Sequence, residues 1–449
     1  MRDMLALLGV NVSFSMLVLA LASGIFGAIA IVGIKGFIVG LLNVYRKFNI
    51  LRLKMAGLTV ETEAERRIVT GQAWEEWCDT IKAAGAVLLS PGCPQDPFTQ
   101  AEGYRYLSRL VRASLEAFLE SSDTNAPRLV SLVNGSRIAP CKLGSDNPDN
   151  HYQSASISGL KEYRVKVVKR GTVKYLGFGT QAGSLGGPGG LKTVDYKQAS
   201  EFETNPDGSF EIYVSNERPK GCQNWLKTLS DPETGLLLVR QTREDHENEI
   251  LAEVTVECTS GNNQPSPCTA YSVDQALNTS AMFVAGAPIM FARWANNFQK
   301  HCNQLPLFDQ ETSNNVGGDP NIRYYHSYWR LAEDEALVIE VTPPKVETWN
   351  FQLDNHWMES LDYRYNTIHV NRHTAKYSKQ DGKSVKIVVS TRDPAGAKFS
   401  DRDAYNWINT TGHTQGAMTF RWIRPETDVG LPQPRTRVVK FDEVFMDNI

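Results

Sequence analysis

The alternation of apolar and polar positions divides the chain into segments of different character. From Met4 to Ile34 no charged residue occurs, and that run exceeds the ~20 residues a bilayer-spanning helix needs. It predicts an uncleaved N-terminal transmembrane helix, with residues 4–45 as the part that meets the lipid bilayer. From Thr59 to Glu120 apolar residues recur at helical spacing: Ile68, Trp74, Trp77 and Ile81, then Leu107, Val111, Leu115 and Phe118. The stretch "SPGCPQDPF" separates two helices there, and their aromatic stripe is expected in the core.

After Ala126 the period changes to two. "KEYRVKVVKR", "TVKYLGF", "GSFEIYVS", "GLLLVRQ" and "LAEVTVEC" alternate apolar and charged residues, as half-buried antiparallel strands do. Ser272 to Asn303 then reads as a helix interrupted near Pro288. Strands resume at Tyr324 with "RYYHSYWRLAEDEALVIEVTP", "ETWNFQL", "NTIHVNR", "SVKIVVSTR" and "GAMTFRWIR".

The two strand-rich regions repeat one another. "DGSFEIYVSNERPKGCQNWLKT" matches "DGKSVKIVVSTRDP", which is followed by "NWINT". Both carry Asp-Gly, a strand with Ile and Val, then Val-Ser, Arg, Pro and Asn-Trp, and an arginine-bearing strand follows each. The expected organisation is an anchor and juxtamembrane segment at 1–50, a helical region at 51–130, and a first β-module at 131–270. A connecting helix at 271–316 and a second β-module at 317–449 complete it. The fold class is α+β, mainly β, with two related antiparallel β-sandwich modules joined by a helix.

The repeat decides the reading of Gly382-Lys383-Ser384, which ends like a phosphate-binding loop. That motif needs a glycine where Tyr377 stands and a helix after it, whereas a strand follows. Asp-Gly is a hairpin-turn signal, and the first copy keeps it without the lysine. The glycine-rich stretch from Gly177 to Gly190 lacks dinucleotide-binding spacing and reads as a loop.

"YWRLAEDEALVIEVTPP", "WNFQLDNHWMESLDYRYNTIHVN", "DGKSVKIVVSTRDP" and "NWINTTGH" in the second module resemble the uncharacterised domain family number 1214. "GSDNPDNHY" and "DGSFEIYVSNERP" in the first resemble the upstream region of its longer members. The resemblance implies an antiparallel β-sandwich of jelly-roll type and brings no established activity. The stretch "AKFSDRDAY", from Ala397 to Tyr405, departs from the family pattern by lengthening one loop.

Composition narrows the function classes. Net charge is −3, so no nucleic-acid partner is expected. Seven cysteines occur without a C-x-x-C pair. Cys258 and Cys268 could close a loop, but mostly reduced thiols are expected. Lys35, Arg46, Lys47, Arg52 and Lys54 follow the apolar run, against Arg2 before it. That asymmetry puts the C-terminal body on the cytoplasmic side, while acceptor triplets at Asn134, Asn278 and Asn409 point the other way.

The candidate chemistry concentrates in "DNHWMESLDYRYNTIHVNRH". Glu359 and Asp362, with His356, are the candidate catalytic groups of a hydrolase, which would need two carboxyls ~5–9.5 Å apart. Asp354, His369 and His373 complete an imaginable metal set. On one strand the two histidines lie ~13 Å apart, so neither metal nor cofactor is expected. Trp349, Trp357, Tyr363, Trp225 and Trp407, with Asn355, Arg364 and His413, are the candidate ligand-binding residues. The Asn-Trp pair in both copies also suits a turn held by asparagine over a packed indole. The sequence therefore predicts a membrane-anchored β-sandwich binding a glycan or lipid-like ligand. A hydrolase and a structural or assembly protein, such as a homo-oligomer, are its alternatives.

Overall fold

A computed structural model describes residues 48, 51–133, 141–183, 191–314, 318–395, 404–427 and 430–445. The predicted anchor at 4–45 lies outside them, as do most of the lengthened loop and the glycines at 184–190. Among the described residues no helix is long and apolar enough to cross a membrane. Two compact units are present, residues 1–67 and 68–449, and both β-modules belong to the second.

Among the described residues, the helices that precede the strands include α1 (Val60–Val69), α2 (Gln72–Ala84) and α3 (Pro97–Leu115). The break before α3 follows from its sequence. Asp96 accepts a hydrogen bond from the Thr99 amide at 2.8 Å, and Pro97 opens the helix, where its missing N–H costs nothing. Tyr106 and Leu110 are fully buried on α3. Trp74, expected in the core, is instead 57% exposed and stacks on Trp77.

The first module comprises β1 (Asn150–Ser158), β2 (Tyr163–Lys169), β3 (Tyr175–Gly183), β4 (Leu191–Gln198), β5 (Phe210–Ser215), β6 (Trp225–Lys227), β7 (Thr234–Thr242) and β8 (Glu253–Cys258). The second comprises β9 (Ile322–Arg330), β10 (Glu335–Val341), β11 (Val346–Leu353), β12 (His369–Asn371), β13 (Val385–Ser390), β14 (Asn406–Asn409), β15 (Gln415–Pro425) and β16 (Arg435–Lys440). Sheet orders are β1-β7-β3-β4 and β6-β5-β2-β8 in the first, β9-β15-β11-β12 and β14-β13-β10-β16 in the second. Each strand of the first module thus has a counterpart eight strands later, and the chain is a duplication at the level of topology. In each module the two sheets bury a shared apolar core between them.

The alternation predicts antiparallel strands throughout, but the sheets are not wholly antiparallel. β5 pairs with β6, and β13 with β14, in parallel. That strand order and those parallel pairs depart from the antiparallel jelly roll implied by the resemblance. The Asn-Trp repeat holds the parallel strands. Asn224 accepts from the Glu203 amide and donates to the Glu203 and Glu211 carbonyls. Asn406 does the same with Lys376 and Lys386. Trp225 and Trp407 donate to the Ser215 and Ser390 hydroxyls at 3.0 and 3.2 Å.

The Asp-Gly turns also recur in space. Asp381 accepts from the amides of Lys383 and Ser384, and Asp207 from that of Ser209. β13 follows the Gly-Lys-Ser, so no helix terminus is there to receive a phosphate. The stretch read as a glycine-rich loop begins as strand β3, because Gly177 and Gly179 leave space for the Tyr196 ring.

Between the modules runs α4 (Ala270–Phe298), capped by Thr269 with Ser272. It is one helix of 29 residues and passes through Pro288 without the expected interruption. Val284, Ala287, Phe291 and Ala292 are buried on both sides of the proline, and that packing offsets the one backbone hydrogen bond proline removes.

Gly235 on β7 and Gly416 on β15 are equivalent positions, opposite Ile157 and Trp329. A Cβ at Gly416 would fall 2.1 Å from the Asp354 carbonyl oxygen, and at Gly235 2.8 Å from that of Gln181. Gly416→Ala is therefore expected to cost about 2 kcal/mol through forced backbone shifts, and Gly235→Ala less. Urea unfolding of both variants checks the order.

Candidate functional site

Most candidate residues are committed to packing. Trp349 lies in the second sandwich core, stacked on Phe420. Trp357 is buried and donates to the Thr99 carbonyl of α3 at 2.9 Å. Neither ring reaches solvent. Tyr363 is half-buried with Lys142 Nζ 4.8 Å from its ring centre. Asp362 pairs with Arg364 at 2.8 Å, and that hydrogen bond holds its carboxyl down at about 2.

Asn355, Glu359 and His413 do meet, but with partners from α3. Glu359 pairs with Arg109 at 2.6 Å, and His413 with Glu102 at 2.6 Å. Asn355 donates to Glu102 and Glu359, both at 3.0 Å. Burial raises the Glu359 carboxyl despite Arg109. Burial would raise Glu102 also, yet its hydrogen bond to His413 keeps it below its ordinary value. His356 bonds to the Tyr328 hydroxyl at 2.9 Å, and burial brings it down to about 4. None of these residues lines the main cavity. Their geometry is that of a clamp locking α3 onto the second module.

The cavity encloses about 630 Å³, within the range of small-molecule sites. One wall is the outer face of the first module's sheet, with Tyr152, Ser154, Leu236, Leu238 and Arg240. A second is β9 with Ile322, Tyr324 and His326, and α4 closes it with Ala276, Thr279, Phe283, Phe291 and Trp294. The lining is predominantly apolar. Polar groups gather where the modules meet. Arg240 faces Tyr152 across the β1–β7 ladder, and Arg421 faces Tyr324 across β9–β15, so the duplication supplies an arginine–tyrosine pair from each module.

The two arginines differ in their partners. Arg240 lies 3.4 Å from the buried Asp319 carboxylate, which also accepts from the Tyr175 hydroxyl at 2.5 Å. Arg421 is only 4% exposed. It donates to neutral acceptors: the Ser145 carbonyl, Asn350 Oδ1 at 3.4 Å and Gln352 Oε1 at 2.5 Å. Among the described residues it has no ion pair. An acidic group that feels its charge is Asp354, whose carboxyl burial raises. A buried cation without a directly paired carboxylate costs several kcal/mol, and a cavity wall is where a ligand can offset that cost. Burial keeps the neighbouring His326 neutral, down at about 3, and the Tyr324 phenol protonated, up at about 12.

Asp354 is buried near this seam and accepts from Gln352 Nε2 at 2.6 Å. Burial raises its carboxyl from 3.8 to about 7. Between those values the folded protein holds a proton that the unfolded chain has lost. This stabilisation is therefore complete below about pH 4 and lost as pH rises through about 7. Wild type is expected to lose stability relative to Asp354→Asn across that window, read as urea midpoints at pH 5 and pH 8. A difference independent of pH refutes the assignment. The buried histidines act oppositely but are common to both proteins and cancel.

A crystal structure of an uncharacterised protein from Burkholderia cenocepacia superposes with a TM-score of 0.76 at 41% identity, covering 84% of this chain and 99% of that one. The family model described as a protein of unknown function (DUF1214) matches residues 189–240. The chain belongs to this family. The DUF1214 match spans β4 to β7 of the first module, whereas the motifs that suggested it stand in the second. Duplicated topology explains why both copies carry the pattern. A Vibrio parahaemolyticus protein matches at 12% identity, over 75% of this chain and 98% of its own, with a TM-score of 0.43. No curated protein sequence is a match.

Arg240 and Arg421 were missed as site residues, although the sequence shows an arginine in the seventh strand of both copies. Its repetition was the available signal.

Proposed function

We propose that this DUF1214 protein binds a single-chain amphiphile with an anionic head, of the fatty-acid class, in the cavity between its modules. The observation that carries the reading is Arg421, a buried guanidinium on the wall of a largely apolar cavity whose hydrogen bonds all go to neutral acceptors. The apolar walls suit a hydrocarbon tail, which gains about 0.8 kcal/mol per buried methylene. Tyr152 and Tyr324 stand beside the arginines as hydroxyl donors for the head. Of the two ligand classes the sequence suggested, this lining favours the lipid-like one over a glycan, which would need more polar partners. The charge-free run from Met4 to Ile34 is in keeping with a protein that works at a bilayer.

Native mass spectrometry of delipidated protein with laurate and with dodecanol tests the reading. One bound laurate, with weaker binding of the alcohol, is expected. Absence of binding by either refutes the proposal.

A further inference from the structure

A second site lies outside the cavity lining, linked to Arg421 through Asn350, on residues the sequence never brought together. Asp149 lies just before β1, His246 follows β7, and His369 lies on β12 of the other module. His246 Nε2 and His369 Nε2 approach the same Asp149 Oδ1 at 3.3 and 3.0 Å. Asn371 Nδ2 donates to that oxygen at 3.0 Å as well, and Asn350 Nδ2 to Oδ2 at 3.3 Å. Three donors thus share an oxygen with two lone pairs. All three ligand atoms lie within 4.8 Å of one another.

From this arrangement we propose that Asp149, His246 and His369 bind one divalent first-row transition-metal ion. Ligand atoms about 2.0–2.1 Å from a metal, at right or tetrahedral angles, are about 2.8–3.4 Å apart, and both histidine-to-Asp149 distances fall in that range. Replacing two imidazole protons by one cation leaves Oδ1 with the metal and Asn371, one partner per lone pair. Two imidazoles and a carboxylate suit Zn²⁺ or Fe²⁺ rather than Ca²⁺ or Mg²⁺. Asn371 and Asn350 would hold the carboxylate in place. The His246 side chain is 44% exposed, so water can complete the shell. Asp245, Arg372 and His373, beside two of the ligands, line a polar cleft of about 570 Å³.

Arg243 Nη2 lies 3.3 Å from His246 Nδ1, so without metal this nitrogen accepts and Nε2 carries the hydrogen. Metal at Nε2 would place the hydrogen of that ring on Nδ1 and release Arg243.

The experiment uses the full chain, stripped with chelator and titrated with Zn²⁺ by calorimetry, then with Co²⁺ by visible absorption. One equivalent with nitrogen-bearing Co²⁺ bands is expected. Binding is lost in His246→Ala and His369→Ala, and falls about tenfold in Asn350→Ala. His246 is half-exposed, so its variant keeps the fold and decides the matter if His369→Ala does not. No binding by wild type, or wild-type affinity in His246→Ala, overturns the proposal.

Discussion

Ala276→Phe is expected to abolish uptake of laurate while leaving the protein folded. Ala276 lies on the α4 wall of the cavity, and its replacement places a ring where the tail would run. The substitution removes no polar group, so loss of binding reports occupied space rather than a broken head site. Arg421→Gln tests the other end. A hydrogen bond to a charged group contributes about 1.5–3 kcal/mol, so laurate affinity is expected to fall by about tenfold to a hundredfold, and dodecanol affinity to stay unchanged. Arg421→Lys keeps the charge and should keep the preference for the anion. Circular dichroism establishes that each variant is folded before calorimetry measures the affinities. Equal laurate binding by wild type and Arg421→Gln would remove the anionic head from the proposal.

The second large effect concerns Glu359, the carboxylate the sequence nominated for catalysis. Glu359→Gln is expected to destabilise the protein by about 3 kcal/mol, because Arg109 is left as an uncompensated charge in a nearly closed setting. The Arg109 and Glu359 side chains are 15% and 2% exposed, so solvent does little to screen the loss. Arg109→Met together with Glu359→Gln should cost less than the two single changes added. Urea unfolding of the four proteins at pH 7 provides the cycle. Additive costs would show that the pair is not coupled and would free Glu359 for another role.

These outcomes bear on how the candidate site could be read in advance. Asp362 and Glu359 stand three positions apart in a polar stretch, a pattern shared by catalytic pairs and structural ion pairs. The sequence contained no sign that Arg109, 250 residues away, closes on Glu359. His369 was weighed against His373, its neighbour in sequence. Its partners in space are Asp149 and His246, which belong to the other module. The aromatic residues were ambiguous for a related reason. Trp349 and Trp357 have the chemistry of a stacking platform, and only their neighbours reveal that both are core.

Local order was legible because its causes are local. Period-two alternation, Asp-Gly turns and the Asn-Trp clamp act within a few residues, and their recurrence disclosed the duplication before any contact was known. Alternation predicts that a strand has one apolar and one polar face, and both modules have them. It does not say what lies against the polar face. In each module the polar outer side of the first sheet is turned into the protein, where α4 and the other module cover it. That burial converts Arg421, Asp354 and Asp149 from ordinary surface groups into groups with strong electrostatic demands. The sequence by itself therefore determined the strands, the turns and the repeat. Tertiary structure alone decided which polar residues lose water, because desolvation depends on elements hundreds of residues apart.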